Sequence, residues 1–138
     1  MRDPRFPTVV LCEYLARDTY GKHLLAGVYS GDILVGALPA ELRVTIYAEF
    51  VAPTDGDHKI ELIFRLGDKD IVKAEILAAG VRAGTMAVLS VPGLGFMASD
   101  ETTLSVFATV NQEAPVVLVQ KKISKAPPSH PIATGLPF

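Results

Sequence analysis

"LRVTIYAEFV", residues 42–51, is the stretch whose reading decides the fold. Leu42, Val44, Ile46, Ala48 and Phe50 fall on one parity, Arg43, Thr45, Tyr47 and Glu49 on the other. Successive side chains of a strand point to opposite faces, so this run feeds a core with one face and shows water the other. The same alternation recurs in "HKIELIFRL" (58–66), where Ile60, Leu62, Phe64 and Leu66 oppose Lys59, Glu61 and Arg65. It recurs again in "TLSVFATV" (103–110), with Leu104, Val106, Ala108 and Val110 set against Ser105, Phe107 and Thr109. These runs are rich in Val, Ile, Thr and Phe, the residue types of half-buried strands.

Working outward, further strands fit residues 8–16, 23–30, 85–91 and 116–124. Turn chemistry separates them: "PTDGD" at 53–57, "GDKD" at 67–70 and "NQEAP" at 111–115. The segment "DIVKAEILAAG" (70–80) fits two templates. It could be a short helix with Asp70 as N-cap and Gly80 as its stop. It could also be a strand with Val72, Ala74, Ile76 and Ala78 inward and Lys73 and Glu75 outward. The strand is preferred, because its length suits one and neighbouring strands need partners for their backbone groups. After residue 125 the character changes. "SKAPPSHPIATGLPF" (124–138) places Pro127, Pro128, Pro131 and Pro137 where no ladder N–H can be donated. The expectation is one all-β domain over 1–125, an antiparallel β-sandwich of about seven to nine strands, followed by an extended Pro-rich arm over 126–138.

Composition narrows the function classes. Lys and Arg number 13 against 15 Asp and Glu, a net charge of −2, so the basic footprint of a nucleic-acid binder is missing. Trp is absent, and few aromatics remain to stack bases. Cys12 is the single cysteine, so no intrachain disulfide can staple the fold. "MRDPRFPTVVLCEYLA" lacks the pattern of a signal peptide: Glu13 interrupts a short apolar run that prolines precede. No run reaches the roughly 18 apolar residues of a membrane helix. These readings favour a cytoplasmic product, or a particle (virion) component assembled in the cytoplasm.

Several stretches invite chemistry. "GKHLLAGVYSGDI" (21–33) has the glycines of a phosphate loop but no following Lys-Ser/Thr, and "GLGFM" (93–97) lacks the third glycine of the dinucleotide fingerprint. Gly27 instead marks a bulge or a close approach inside a strand. At Gly31-Asp32 the apolar parity flips, from Leu24, Ala26 and Val28 to Ile33 and Val35. A two-residue turn would do that, and so would a bulge. His23, His58 and His130 stand far apart, without the spacing of a zinc site. Asp55 and Asp57 form one pair and Asp68 and Asp70 another, the kind of loop that can take calcium. The strand between the pairs spans roughly 30 Å, so they cannot share an ion, and ordinary turn roles suit them. No metal and no cofactor is expected. Cys12 becomes a nucleophile only with a nearby base; His23 across a hairpin is the candidate. Glu13 and Glu49 are a conceivable acid–base couple, though solvated carboxylates suit strand outer faces better.

The stretch "VPGLGFMASDE" (91–101) is left open. If Leu94, Phe96 and Met97 protrude, they form an apolar contact knob. If they begin a strand, they are core. With Pro127, Pro128, Pro131 and Phe138 of the arm, they complete the expected partner-contact set.

"LCEYLARDTYGKHLLAGVY" (11–29) resembles the opening of a family of small, uncharacterised bacterial and phage-encoded proteins. The pattern is carried by Leu11, Cys12, Glu13, Arg17, Gly21, Lys22, Gly27, Val28 and Tyr29. "LPAELRVTIYAEF" (38–50) resembles its second block, a proline turn running into an alternating strand. The likeness is clearest over residues 8–50. It implies an all-β domain of unknown function and carries over no catalytic residue. The leading expectation is a non-enzymatic interaction or assembly module, a structural or accessory component of a phage-like particle. Its partner is expected to be protein, either itself as a homo-oligomer or a particle neighbour, with neither nucleic acid nor membrane. A ligand- or calcium-binding sandwich is the alternative, and an enzyme with a dispersed site the third reading.

Overall fold

The structure, a computed structural model, describes residues 3–127. Among them run nine strands: β1 (Thr8–Arg17), β2 (His23–Val28), β3 (Ile33–Val35), β4 (Ala40–Val51), β5 (Gly56–Leu66), β6 (Lys69–Val81), β7 (Met86–Ala98), β8 (Thr102–Val110) and β9 (Val116–Lys125). They form a four-stranded sheet, β2-β1-β4-β7, and a five-stranded sheet, β3-β9-β8-β5-β6. The all-β sandwich expected from period two is the fold of this chain.

The alternating runs explain the core. Leu42, Val44, Ile46, Ala48 and Phe50 of β4 are all buried, and one cluster joins them to Ile60, Leu62 and Phe64 of β5 and to Leu104, Val106, Ala108 and Val110 of β8. Each fully buried Ile, Leu or Phe of this kind contributes roughly 1.5–3 kcal/mol. Phe6 closes one end, its ring 5.4 Å from that of Phe50. Beside it His58 is buried, and the edge-to-face contact of its ring with Phe50 spans 5.7 Å. Its Nε2 donates to the Thr54 carbonyl at 2.8 Å, and its Nδ1 takes the Asn111 side-chain amide at 3.1 Å. Asn111 and Gln112, at φ 51° and 64°, make the left-handed turn between β8 and β9.

Residues 70–80 are strand, as preferred, within β6. Four expectations are corrected. β2 stops at Val28, short of residue 30. Gly31-Asp32 is neither a hairpin turn nor a bulge: the chain leaves the first sheet after β2 and enters the second as β3, so the parity flip marks a change of sheet. β3 then pairs parallel to β9, the one departure from antiparallel pairing among the described residues. The strand placed at 85–91 runs on to Ala98, because β4 offers it a partner along its whole length. The ladder's end also draws in Ala126, whose N–H donates to the Val35 carbonyl.

The first hairpin holds the largest surprise. Register sets Val10 opposite Tyr47 and Arg17 opposite His23. Seven residues separate Val10 from Arg17, roughly 23 Å along a straight strand. Yet the rings of His23 and Tyr47 lie 5.3 Å apart. The distal part of the β1–β2 hairpin therefore folds back across the outer face of β4. The bend has local causes. Leu11 and Cys12 are both buried, which breaks alternation at the point of bending. Across from Glu13, Gly27 has φ +67°, and a Cβ there would sit 2.8 Å from Glu13 Oε1 and 3.0 Å from Glu13 Cβ. Only glycine allows the Glu13 side chain to lie across this strand.

Candidate functional site

Thr45 shows what the folded hairpin does. Its parity is that of the outer face, yet it is 1% exposed. Its hydroxyl donates to the Glu13 carbonyl at 3.2 Å and accepts the Gly93 N–H at 3.2 Å. One side chain thus fastens the bent hairpin to β4 and fixes a bulge in β7, where the register shifts between Val44 and Ile46. Around it Glu13, Tyr14, Leu15, Arg43, Thr45 and Gly93 line an open cavity of about 310 Å³. The Arg43 guanidinium lies 5.7 Å from the centre of the Tyr14 ring. Tyr29 completes the clasp from β2's end, donating to the Arg43 carbonyl at 3.0 Å. Burial, reinforced by the charge of Glu13, pushes the Tyr29 phenol up to about 12.

The candidate catalytic pairs are not joined by hydrogen bonds. The Cys12 thiol is committed to the Tyr14 carbonyl and His23 Nε2 has no hydrogen-bond partner, so the two do not form a nucleophile–base pair. Cys12 is fully buried, its thiol donates to the Tyr14 carbonyl at 3.3 Å, and burial raises its pKa. A thiol so placed is a core group, not a nucleophile. His23 Nε2 is sealed without a hydrogen-bond partner against the outer face of the sheet. Glu13 and Glu49 are also apart: Glu49 pairs with Thr8, whose hydroxyl and that of Tyr47 hold its carboxyl below the usual range.

The acidic pairs have structural work. Asp55 accepts the Ala83 N–H at 2.8 Å and Asp57 the Gly80 N–H at 2.7 Å, each tying β5's start to β6's end. Asp70 takes Arg65 Nε at 2.7 Å. Among the described residues, no group of three or more His, Cys, Asp or Glu is placed to hold a metal ion. None forms a helix long and apolar enough to cross a membrane.

Of the partner-contact set, Leu94 and Phe96 lie on β7, half-buried against the core, opposite Val44 and Leu42. They are strand residues and not a knob, because the sandwich gives their inward face something to cover. Met97 points the other way and is 54% exposed. Pro127 is exposed, while Pro128, Pro131 and Phe138 lie outside the described residues.

What sequence reading missed is the sheet edges. Each sheet ends in a thirteen-residue strand, β6 in one and β7 in the other, joined by the turn at 82–85. Unpaired edges are templates for further pairing unless guarded. β7 is interrupted near its middle by Pro92, which brings no N–H, and by its bulge, leaving Met86–Val91 as its longest regular run. β6 has no proline. Register shifts bracket it at Ile71 and between Ala78 and Val81, leaving Val72–Ala78 regular and unpaired along its outer side. No local signal betrays this, since strand order is a long-range property.

No family model and no curated protein matches this chain.

Proposed function

We propose that this chain is a non-enzymatic interaction module that works by assembling with protein, its own copies first. The observation that carries this reading is the regular, proline-free edge of β6 over Val72–Ala78, on a sandwich whose other long edge is broken by a proline and a bulge. The burial of Cys12 with its thiol bonded to the Tyr14 carbonyl, and the use of Asp55, Asp57 and Asp70 in internal hydrogen bonds, support it against the enzymatic and calcium-binding alternatives. A role as a structural or accessory part of a phage-like particle is the finer form of the proposal. Its support is the resemblance of residues 8–50 to a family of bacterial and phage-encoded proteins.

The test is the mass of the full chain in solution over a dilution series. A discrete species heavier than the monomer, dissociating on dilution, is the expected result. A chain that is monomeric at every concentration contradicts self-assembly.

A further inference from the structure

The outer side of β6 is self-complementary in one register. Its regular run, Val72–Ala78, opens with Val72, Lys73, Ala74, Glu75, Ile76. Val72, Ala74 and Ile76 face the core side, while Lys73 and Glu75 stand exposed on the outer face. We propose that a second copy of this chain docks here, β6 against β6 antiparallel, about a two-fold axis through Ala74. This deepens the assembly reading and rests on it. In that register Lys73 faces the second copy's Glu75, Glu75 faces the second copy's Lys73, and Val72 faces the second copy's Ile76. Side chains directly opposite in an antiparallel pair share a face, so charged pairs stay outside and apolar pairs line the core side.

Two observations fix the register and the occupant. Moving the two-fold by one residue sets Lys73 against the second copy's Lys73, or Glu75 against the second copy's Glu75, and like charges directly opposite destabilise. Within one chain the register already places Glu75 directly opposite Glu61. Lys59 and Lys73 reach those carboxylates only diagonally, at 3.5 and 3.4 Å. An incoming Lys73 on the free side of Glu75 answers that carboxylate crowding. In that register the Glu61–Glu75 pair of each copy meets the second copy's Lys73 on its free side. About this two-fold Leu77 meets the second copy's bulged Ile71, which limits regular pairing to Val72–Ile76, so the dimer is a reversible one.

The experiment compares the full chain with Lys73→Glu, Glu75→Lys and the double exchange K73E/E75K, by sedimentation over a dilution series. Both positions are exposed, and circular dichroism reports that the sandwich is kept. Each single reversal turns two opposed pairs into two like-charge pairs at once, so self-association should weaken by roughly tenfold or more. The double exchange restores opposite charges and should restore the dimer. A monomeric wild-type chain overturns this proposal together with the assembly reading. A wild-type oligomer indifferent to both reversals overturns the β6 register alone and leaves assembly standing. Single reversals that weaken the dimer without rescue by the double exchange also overturn the register.

Discussion

Thr45 illustrates how one residue can hold more than its parity suggests. Its hydroxyl is the shared partner of the Glu13 carbonyl and the Gly93 N–H. Thr45→Val keeps the shape and removes both bonds, leaving two backbone groups without this partner. The expected cost is roughly 1–3 kcal/mol, read from urea unfolding, with an unchanged m-value. Sequence parity placed Thr45 on the solvent side, and that assignment is right for the sheet and wrong for the environment. Period two reports the face of a strand; it carries nothing about what folds over that face. Tyrosine ionisation gives a second check at this scale. Tyr29 and Tyr47 are both raised, each mainly by burial, and Tyr47 further by its bond to Glu49. Of four tyrosines, ultraviolet titration should find these two ionising above the ordinary range, with Tyr29→Phe removing the transition near 12.

Elements differ in how far local sequence determines them. β4, β5 and β8 were legible because their inward residues are apolar and buried, His58 and the half-buried Leu66 of β5 aside. β6 was ambiguous because Ala and Glu suit helices, and pairing with β5 decided it. β3 is three residues long and exists only because β9 offers a parallel edge. Gly27 was read as a site of bulging or close approach, and the approaching group is the Glu13 side chain. That close approach makes the β1–β2 hairpin testable as an element. Gly27→Ala must strain a positive φ and displace Glu13, and should destabilise by about 1–2 kcal/mol or more. Because the bend positions the hairpin on β4, the ring-current shift that Tyr47 imposes on His23 should also shrink. A variant with wild-type stability and an unchanged His23 signal would contradict the bend.

At the scale of the molecule, two sheets share one core and differ in their exposed borders. The N-terminal segment is stapled across one end: Arg5 binds Asp3 at 2.9 Å and reaches Glu113 at 3.2 Å, while its carbonyl takes the Val51 N–H. The Arg5 side-chain bond holds the Asp3 carboxyl below its ordinary value. A carboxyl lowered in the folded state adds stability above its unfolded pKa and loses it as pH falls through the folded one. Asp3→Asn should therefore lower stability at neutral pH and leave it little changed at pH values below both. A loss of equal size at acid and neutral pH would show that the pair's charge is not its contribution. The reach of Arg5 to Glu113 and Val51, like the order of strands that leaves β6 at an edge, does not follow from local patterning; both depend on contacts between residues far apart in sequence.

The central claim is that β6 is where copies of this chain meet, and hydrogen exchange reads it most directly. The outward-pointing amides of Val72–Ile76 are measured in dilute and in concentrated protein. The account predicts slow exchange there only at high concentration, with β7 unchanged. Exchange in β6 that is equally fast at both concentrations would contradict it.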